Sequence, residues 1–225
     1  MKIFVSVLCG PERHFWLTPE LAQGLVYWAS QAAMSEGCEF HFRPAYGFHT
    51  SQEARNWIAD QFLETDCDYL VMIDNDTIPA RPDAGALIDL WRMVWMKLPI
   101  VAAPVPVIKG DNWMINAYRR NEKPKLGEKS YTPWGMDELQ AAARQPDGSN
   151  KPVEVDAGGF GLVAIQRRVV KVLRMYDRQC VFQRPRRTSG ETMLGEDLHF
   201  CQRAGKSGFQ VYTSLDHLCG HGHTL

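Results

Sequence analysis

The apolar positions of this chain change period repeatedly, and each change marks an element. Lys2 to Leu8 (KIFVSVL) is almost continuously apolar and predicts a buried first strand. Thr18-Pro19-Glu20 supplies a capping hydroxyl, a first-turn proline and an early acid; Leu21, Leu25, Trp28 and Ala32 then recur at helical spacing up to Gly37. Glu39 to Arg43 reads as a second strand. Thr50-Ser-Gln-Glu53 has capping-box spacing, and the helix it opens would bury Ala54, Trp57, Ile58 and Phe62. Tyr69 to Ile73 is a continuous apolar run, as in a strand covered on both faces. Asp83 caps a further predicted helix carrying Leu87, Leu90, Trp91 and Val94, and Ile100 to Val107 is the next predicted strand.

This alternation predicts an α/β fold with a mixed, mostly parallel central sheet flanked by helices. Ligands of such sheets sit beyond the carboxyl ends of the strands. The remainder is less regular. Lys109 to Asn150 reads as surface excursions, Val153 to Ile165 as extended structure around DAGGFG, and Arg167 to Tyr176 as a helix. Residues 182–194 are basic and aperiodic, which predicts a mobile loop. Glu196 to Ser207 predicts a short helix stopped by Gly208, and Gln210 to Thr213 a last strand. One domain over 1–225 is expected, with halves 1–107 and 108–225 and no dividing linker.

Composition narrows the class. A net charge of −1 gives no global attraction to nucleic acid or membrane. Locally, eight Arg or Lys stand between Ile165 and Arg187 against Asp177, which is either a solvated face or a patch for a diphosphate, acidic glycan or nucleic acid. Six scattered cysteines without a Cys-x-x-Cys pair suit reduced thiols. No stretch has transmembrane length and the N-terminus reads as a strand, so a cytoplasmic protein without stable membrane insertion is expected.

The apolar run Tyr69–Ile73 ends on Asp74-Asn75-Asp76, then Thr77-Ile78-Pro79. Residues i and i+2 of an extended chain share a side, so both carboxylates are able to converge. They would suit a hard divalent cation, Mn²⁺ or Mg²⁺, or acid–base work; an Asx-rich turn is the alternative. An EF-hand loop is excluded, because Ile78 and Pro79 occupy its fifth and sixth positions. Gly159-Phe-Gly161-Leu-Val-Ala164 has dinucleotide-fingerprint spacing but opens a strand, so NAD binding is rejected. The small residues Gly158 and Gly159 would let a sugar or backbone approach closely. Glu196-Asp197 stands at a predicted helix start, as a general base or a plain cap. His217, Cys219, His221 and His223 match no common closed zinc site.

The run ARNWIADQFLETDCDYLVMIDNDTIP resembles the nucleotide-sugar-binding half of GT-A-type glycosyltransferases, family-2-like. VDAGGFGLVAIQRR, GEDLHFCQRAGKSGFQVY and LDHLCGHGHTL follow in that family's order. The resemblance spans nearly the whole chain and is weakest over 109–150. It implies a Rossmann-like nucleotide-binding half and an acceptor-binding half. It implies a metal set of Asp76, Asp74 and His221, with His217 and His223 as rivals to His221. Donor contacts would come from Arg55, Asn56, Cys9, Asp74 and Asn75, and sugar or acceptor contacts from Asp156, Gly158 and Gly159. Asp197 would be the base of an inverting transferase, supported by Glu196. The donor expected from the family is a UDP-sugar; the acceptor is a glycan, a glycolipid or hydroxylated phage DNA. A non-catalytic nucleotide- or glycan-binding module and a nucleotidyltransferase are the alternatives, the latter poorly matched by LCGPERHFW.

Overall fold

The computed structural model describes residues 1–10, 17–35, 37–79, 94–95, 97–109, 112–121, 130–177, 180–185, 194–215 and 219–221, with backbone alone at 79, 107–109, 112–113 and 221. The first apolar run is β1 (Lys2–Leu8). Thr18 caps α1 (Pro19–Met34), its hydroxyl accepting from the Leu21 amide at 3.2 Å, and Leu21, Leu25, Trp28 and Ala32 face inward. After β2 (Glu39–Phe42), the expected capping box forms reciprocally between Thr50 and Glu53 and opens α2 (Ser51–Glu64). Its buried face carries Arg55 and Ala59 beside Ala54, Ile58 and Phe62, with Trp57 half-buried. Next come β3 (Tyr69–Asp74) and β4 (Thr77–Pro79). The helix expected from Asp83 lies outside the described residues apart from Val94 and Trp95.

The strand expected over 100–107 is divided. It stops as β5 (Ile100–Ala102) and resumes as β6 (Pro106–Lys109), which pairs with β7 (Asn112–Ile115). Pro104 and Pro106 bring no amide hydrogen, so the chain leaves the sheet there. The stretch read as surface excursions also holds β8 (Ala117–Arg120), β9 (Tyr131–Pro133) and α3 (Met136–Ala143). The chain continues through β10 (Val153–Val155), β11 (Ala157–Gly158), β12 (Leu162–Gln166), α4 (Arg167–Tyr176), α5 (Glu196–Lys206), β13 (Val211–Thr213) and β14 (Cys219–His221).

The central sheet has seven strands in the order β10-β13-β5-β12-β3-β1-β2. Strands β1, β2, β3, β5 and β13 run one way, while β12 and β10 run the other. The sheet is therefore mixed and mostly parallel, as expected. The pattern does not reveal β12 entering antiparallel between β3 and β5, from about 60 residues further along the chain.

Alternate residues of β1 and β3 serve opposite faces. Ile3, Val5, Val7, Val71 and Ile73 pack with Leu21, Leu25 and Trp28 of α1. Phe4, Leu8, Leu70 and Met72 pack with Ala54, Ile58 and Phe62 of α2. That second core continues into Phe160, Phe182 and Phe200, whose ring centroids lie 4.7–6.1 Å apart. The three residues come from the loop before β12, the segment after α4, and α5. Truncating Phe200 to alanine is expected to cost about 3–5 kcal/mol of unfolding free energy, read as a lower urea midpoint.

Candidate functional site

Strand β3 is buried throughout except at its end, where Asp74 emerges. Two neighbours clamp the turn that follows. The Asp74 amide donates to Gly161 O at 2.8 Å and the Asn75 amide to Leu8 O at 3.0 Å. Thr77 Oγ1 also donates to Gly161 O, at 2.8 Å. Asp76 thus lies in a tight turn and not on the extended strand used to argue convergence; both carboxylates nevertheless border one cleft. The cleft measures about 210 Å³ and is lined by Cys9 and Gly10 after β1, His49 and Ser51 at the start of α2, and Asp74, Asn75 and Asp76. The buried side-chain amide nitrogen of Asn75 has no hydrogen-bond partner among the described residues. His49 was not singled out by the sequence, because a lone histidine before a helix cap carries no motif.

Beyond the turn, β4 pairs antiparallel with β14, with Thr77 opposite His221, Ile78 opposite Gly220 and Pro79 opposite Cys219. Cys219 is buried, and its amide donates to Pro104 O at 3.0 Å. The pairing brings the His221 backbone alongside the residue after Asp76. The His221 side chain, His217 and His223 lie outside the described residues. Among the described residues no group of three or more His, Cys, Asp or Glu side chains is assembled to hold a metal ion.

Arg55 links this edge to the start of α5. Its side chain is 5% exposed. Nη1 donates to Glu196 Oε1 at 2.6 Å. Nη2 reaches Asp74 Oδ1 and Oδ2 at 3.3 and 3.4 Å and Phe160 O at 3.3 Å. Glu196 also accepts from Ser51 Oγ, and its second oxygen accepts from Arg184 Nε at 3.1 Å. Burial alone would push the Glu196 carboxyl upward, but Arg55, Ser51 and Arg184 together hold it below its ordinary value. Asp197 behaves oppositely: burial raises it, and the Arg55 charge and the Leu198 amide, which donates to its Oδ1 at 2.8 Å, compensate only in part. Adjacent acids on one helix are thereby driven apart, Glu196 downward and Asp197 upward.

The other sequence candidates are placed as follows. Asn56 Nδ2 donates to Gln52 O and Phe182 O at 2.9 and 2.7 Å, and its Oδ1 accepts from the Val181 and Phe182 amides at 2.8 and 3.0 Å. A donor contact through Asn56 would have to break these bonds, which seat the segment after α4 on α2. Asp156 is exposed and accepts from the Arg120 amide at 2.9 Å. Gly158 and Gly159 are buried, and protein occupies the space that each leaves. A Cβ would stand 2.6 Å from Ala102 Cβ at Gly158, and 2.6 Å from Asn116 Nδ2 at Gly159. Asn116, unnoticed in the sequence, accepts the Val105 and Gly159 amides at 2.6 and 2.7 Å through its side-chain and backbone oxygens.

The basic run does not form one continuous outward patch. Arg167 donates to Phe62, Leu63, Thr65 and Cys67 carbonyls, capping the end of α2. Arg174 pairs with Asp60 at 2.6 Å and Arg184 with Glu196. Arg168 and Lys171 remain on the exposed face of α4. Arg178, Arg186 and Arg187, with most of the expected loop, lie outside the described residues.

No family model and no curated protein matches the sequence. Among solved structures, the chain is similar to A197 from STIV at 15% identity and TM-score 0.52, over 95% of this chain and 81% of that one. It is also similar to GalNAc-T7 in its crystal structure with UDP, GalNAc and Mn²⁺, at 12% identity and TM-score 0.50. That match covers 98% of this chain and 43% of the other, so this chain corresponds to less than half of GalNAc-T7. At such identities the likeness concerns the fold, which is GT-A-like. No helix among the described residues is long and apolar enough to cross a membrane.

Two outcomes are expected. Gly158→Ala should cost about 1–3 kcal/mol through overpacking, and adding Ala102→Gly should recover part of it; urea unfolding of both variants checks this. Glu196 is held below its ordinary value of 4.5, so its stabilisation is complete above that pH and drains away as pH falls through the folded-state value. Glu196→Gln should flatten the limb of a melting-temperature profile that falls below pH 4.5.

Proposed function

We propose that this chain is a metal-dependent glycosyltransferase that moves a sugar from a nucleotide-sugar donor to a hydroxyl acceptor. One observation carries the reading: a single buried guanidinium bonds both Asp74 and Glu196. This supports reading the acidic turn after β3 and the acidic start of α5 as parts of one site, as a donor-binding element and a base require.

The residues at the cleft suit a divalent cation. Asp74 and Asp76 offer hard oxygen ligands on one turn, and His221 is the candidate third ligand on the strand paired beside it. Asp74 would serve the ion while also sharing charge with Arg55, and Asp76 would supply the second carboxylate. Bound Mn²⁺ or Mg²⁺ would neutralise charge developing on the departing nucleoside diphosphate. The Asn75 side-chain amide, without a partner among the described residues, would donate to a donor oxygen, and Cys9, Gly10 and His49 would wall the nucleotide end of the cleft. GalNAc-T7, which shares the fold, was crystallised with UDP and Mn²⁺, and this supports a UDP-sugar as donor.

Asp197 is the base and Glu196 is not. Both Glu196 oxygens are occupied by Ser51, Arg55 and Arg184, and their donors keep it ionised. Asp197 is the neighbouring acid whose proton affinity burial raises, which favours it over Glu196 as the group that takes up a proton. It would take the proton of the acceptor hydroxyl as that oxygen bonds to the anomeric carbon and the diphosphate leaves with the former bonding pair. Attack opposite the leaving group inverts the anomeric centre.

A thermal-shift screen of nucleotide sugars with and without Mn²⁺, followed by donor hydrolysis and transfer assays, tests the proposal. A UDP-sugar should raise the melting temperature only with metal. Asp76→Ala should abolish that shift, and Asp197→Asn should keep it while lowering turnover roughly 10²–10⁴-fold. Full turnover by either variant would refute the mechanism. Binding without turnover, indifferent to Asp197→Asn, would leave a nucleotide-binding module.

A further inference from the structure

Arg55 belongs to α2, Asp74 to the end of β3, and Glu196 to the first turn of α5. These are separate elements from the two halves of the chain. The guanidinium meets a carboxylate on each side, with the Phe160 carbonyl also accepting and the Phe160 ring 5.7 Å away. Glu196 in turn holds Arg184, whose amide donates to Gln52 Oε1 at 2.9 Å. Asp197 is the next residue along the helix. A forked cation shared by two carboxylates transmits a change at one to the other, because each draws on the same charge and the same rigid geometry.

We infer that Arg55 is a positioning residue that couples the two sides of the site: it orients Asp74 at the cleft and, through Glu196, sets the first turn of α5 and with it Asp197. The functional side of this inference rests on the glycosyltransferase reading; the coupling itself does not. Arg55 would touch neither sugar nor diphosphate. Its task is to hold the donor turn and the base in register, which isolated ion pairs at either end would not do. Lysine would keep the charge but lose the fork, so it would serve one carboxylate at a time.

The coupling is testable without turnover. Melting temperatures of the full chain are measured for Asp74→Asn, Glu196→Gln and the double variant, with Arg55 present and again with Arg55→Met. With Arg55 present, the double variant should lose more than the sum of the single losses, by roughly 2–4 °C or more, because only then is the guanidinium buried without either carboxylate. With Arg55→Met the excess should vanish. Additive losses in the Arg55 protein would overturn the inference; so would an equal excess without Arg55.

Kinetics then separates positioning from simple support. Asp74→Asn should chiefly raise the donor KM, Glu196→Gln should chiefly lower kcat, and Arg55→Lys should do both, each by tenfold or more. Arg55→Lys with a lower melting temperature but unchanged kcat and KM would reduce Arg55 to a stabilising strut and overturn the positioning role. A wild-type chain that turns over no nucleotide sugar would refute the proposed function, and the melting cycle would still decide the coupling.

Discussion

A charged guanidinium withdrawn from water is tolerable only where anions and carbonyls replace its solvent, and Arg55 meets that condition at both terminal nitrogens with groups from three distant segments, while its buried Nε has no hydrogen-bond partner among the described residues. Asp74, Glu196 and the Phe160 carbonyl each fill part of its hydrogen-bonding fork. Removing either carboxylate leaves the cation partly uncompensated, and removing the cation takes from the buried Glu196 one of its three side-chain donors. The start of α2, the end of β3 and the start of α5 are therefore held in one arrangement.

The strand that reverses direction in the sheet serves the same end. By entering antiparallel beside β3, β12 carries the Phe160–Gly161 corner against the carboxyl end of β3. Gly161 then accepts both the Asp74 amide and the Thr77 hydroxyl, while Phe160 supplies a carbonyl to Arg55 and a ring to the aromatic cluster. Close approach is the reason for glycine at 158 and 159, where Ala102 and Asn116 fill the space a side chain would need. The segment packs closely on its own neighbours and aims backbone groups at the acidic turn.

Charge near the site is handled internally. Much of the basic run after β12 is directed at carbonyls and carboxylates of the protein: Arg167 caps α2, Arg174 meets Asp60 and Arg184 meets Glu196. Three of the basic residues that look in the sequence like a surface for polyanions instead help fasten α2, α4 and α5 together, while Arg168 and Lys171 stay exposed. The pair Glu196-Asp197 shows the result: its two acids receive opposite treatment because guanidinium groups reach one and burial dominates the other.

The sequence by itself determined the local structure and the class of sheet. Thr18 and the Thr50/Glu53 box announce their helices, the unbroken run at Tyr69–Ile73 announces a strand covered on both faces, and Asp74 and Asp76 fall at its carboxyl end, because capping and periodicity are written within a few residues. It also made Asp74, Asp76, Glu196 and Asp197 candidates by position. Tertiary structure alone decided that β12 enters between β3 and β5, that β14 brings His221 to the strand after Asp76, and that Arg55, Asn56, Gly158 and Gly159 face protein. Those outcomes depend on partners far apart in the chain, and a hydrogen bond or a steric limit between distant residues leaves no periodic trace in the sequence around either of them.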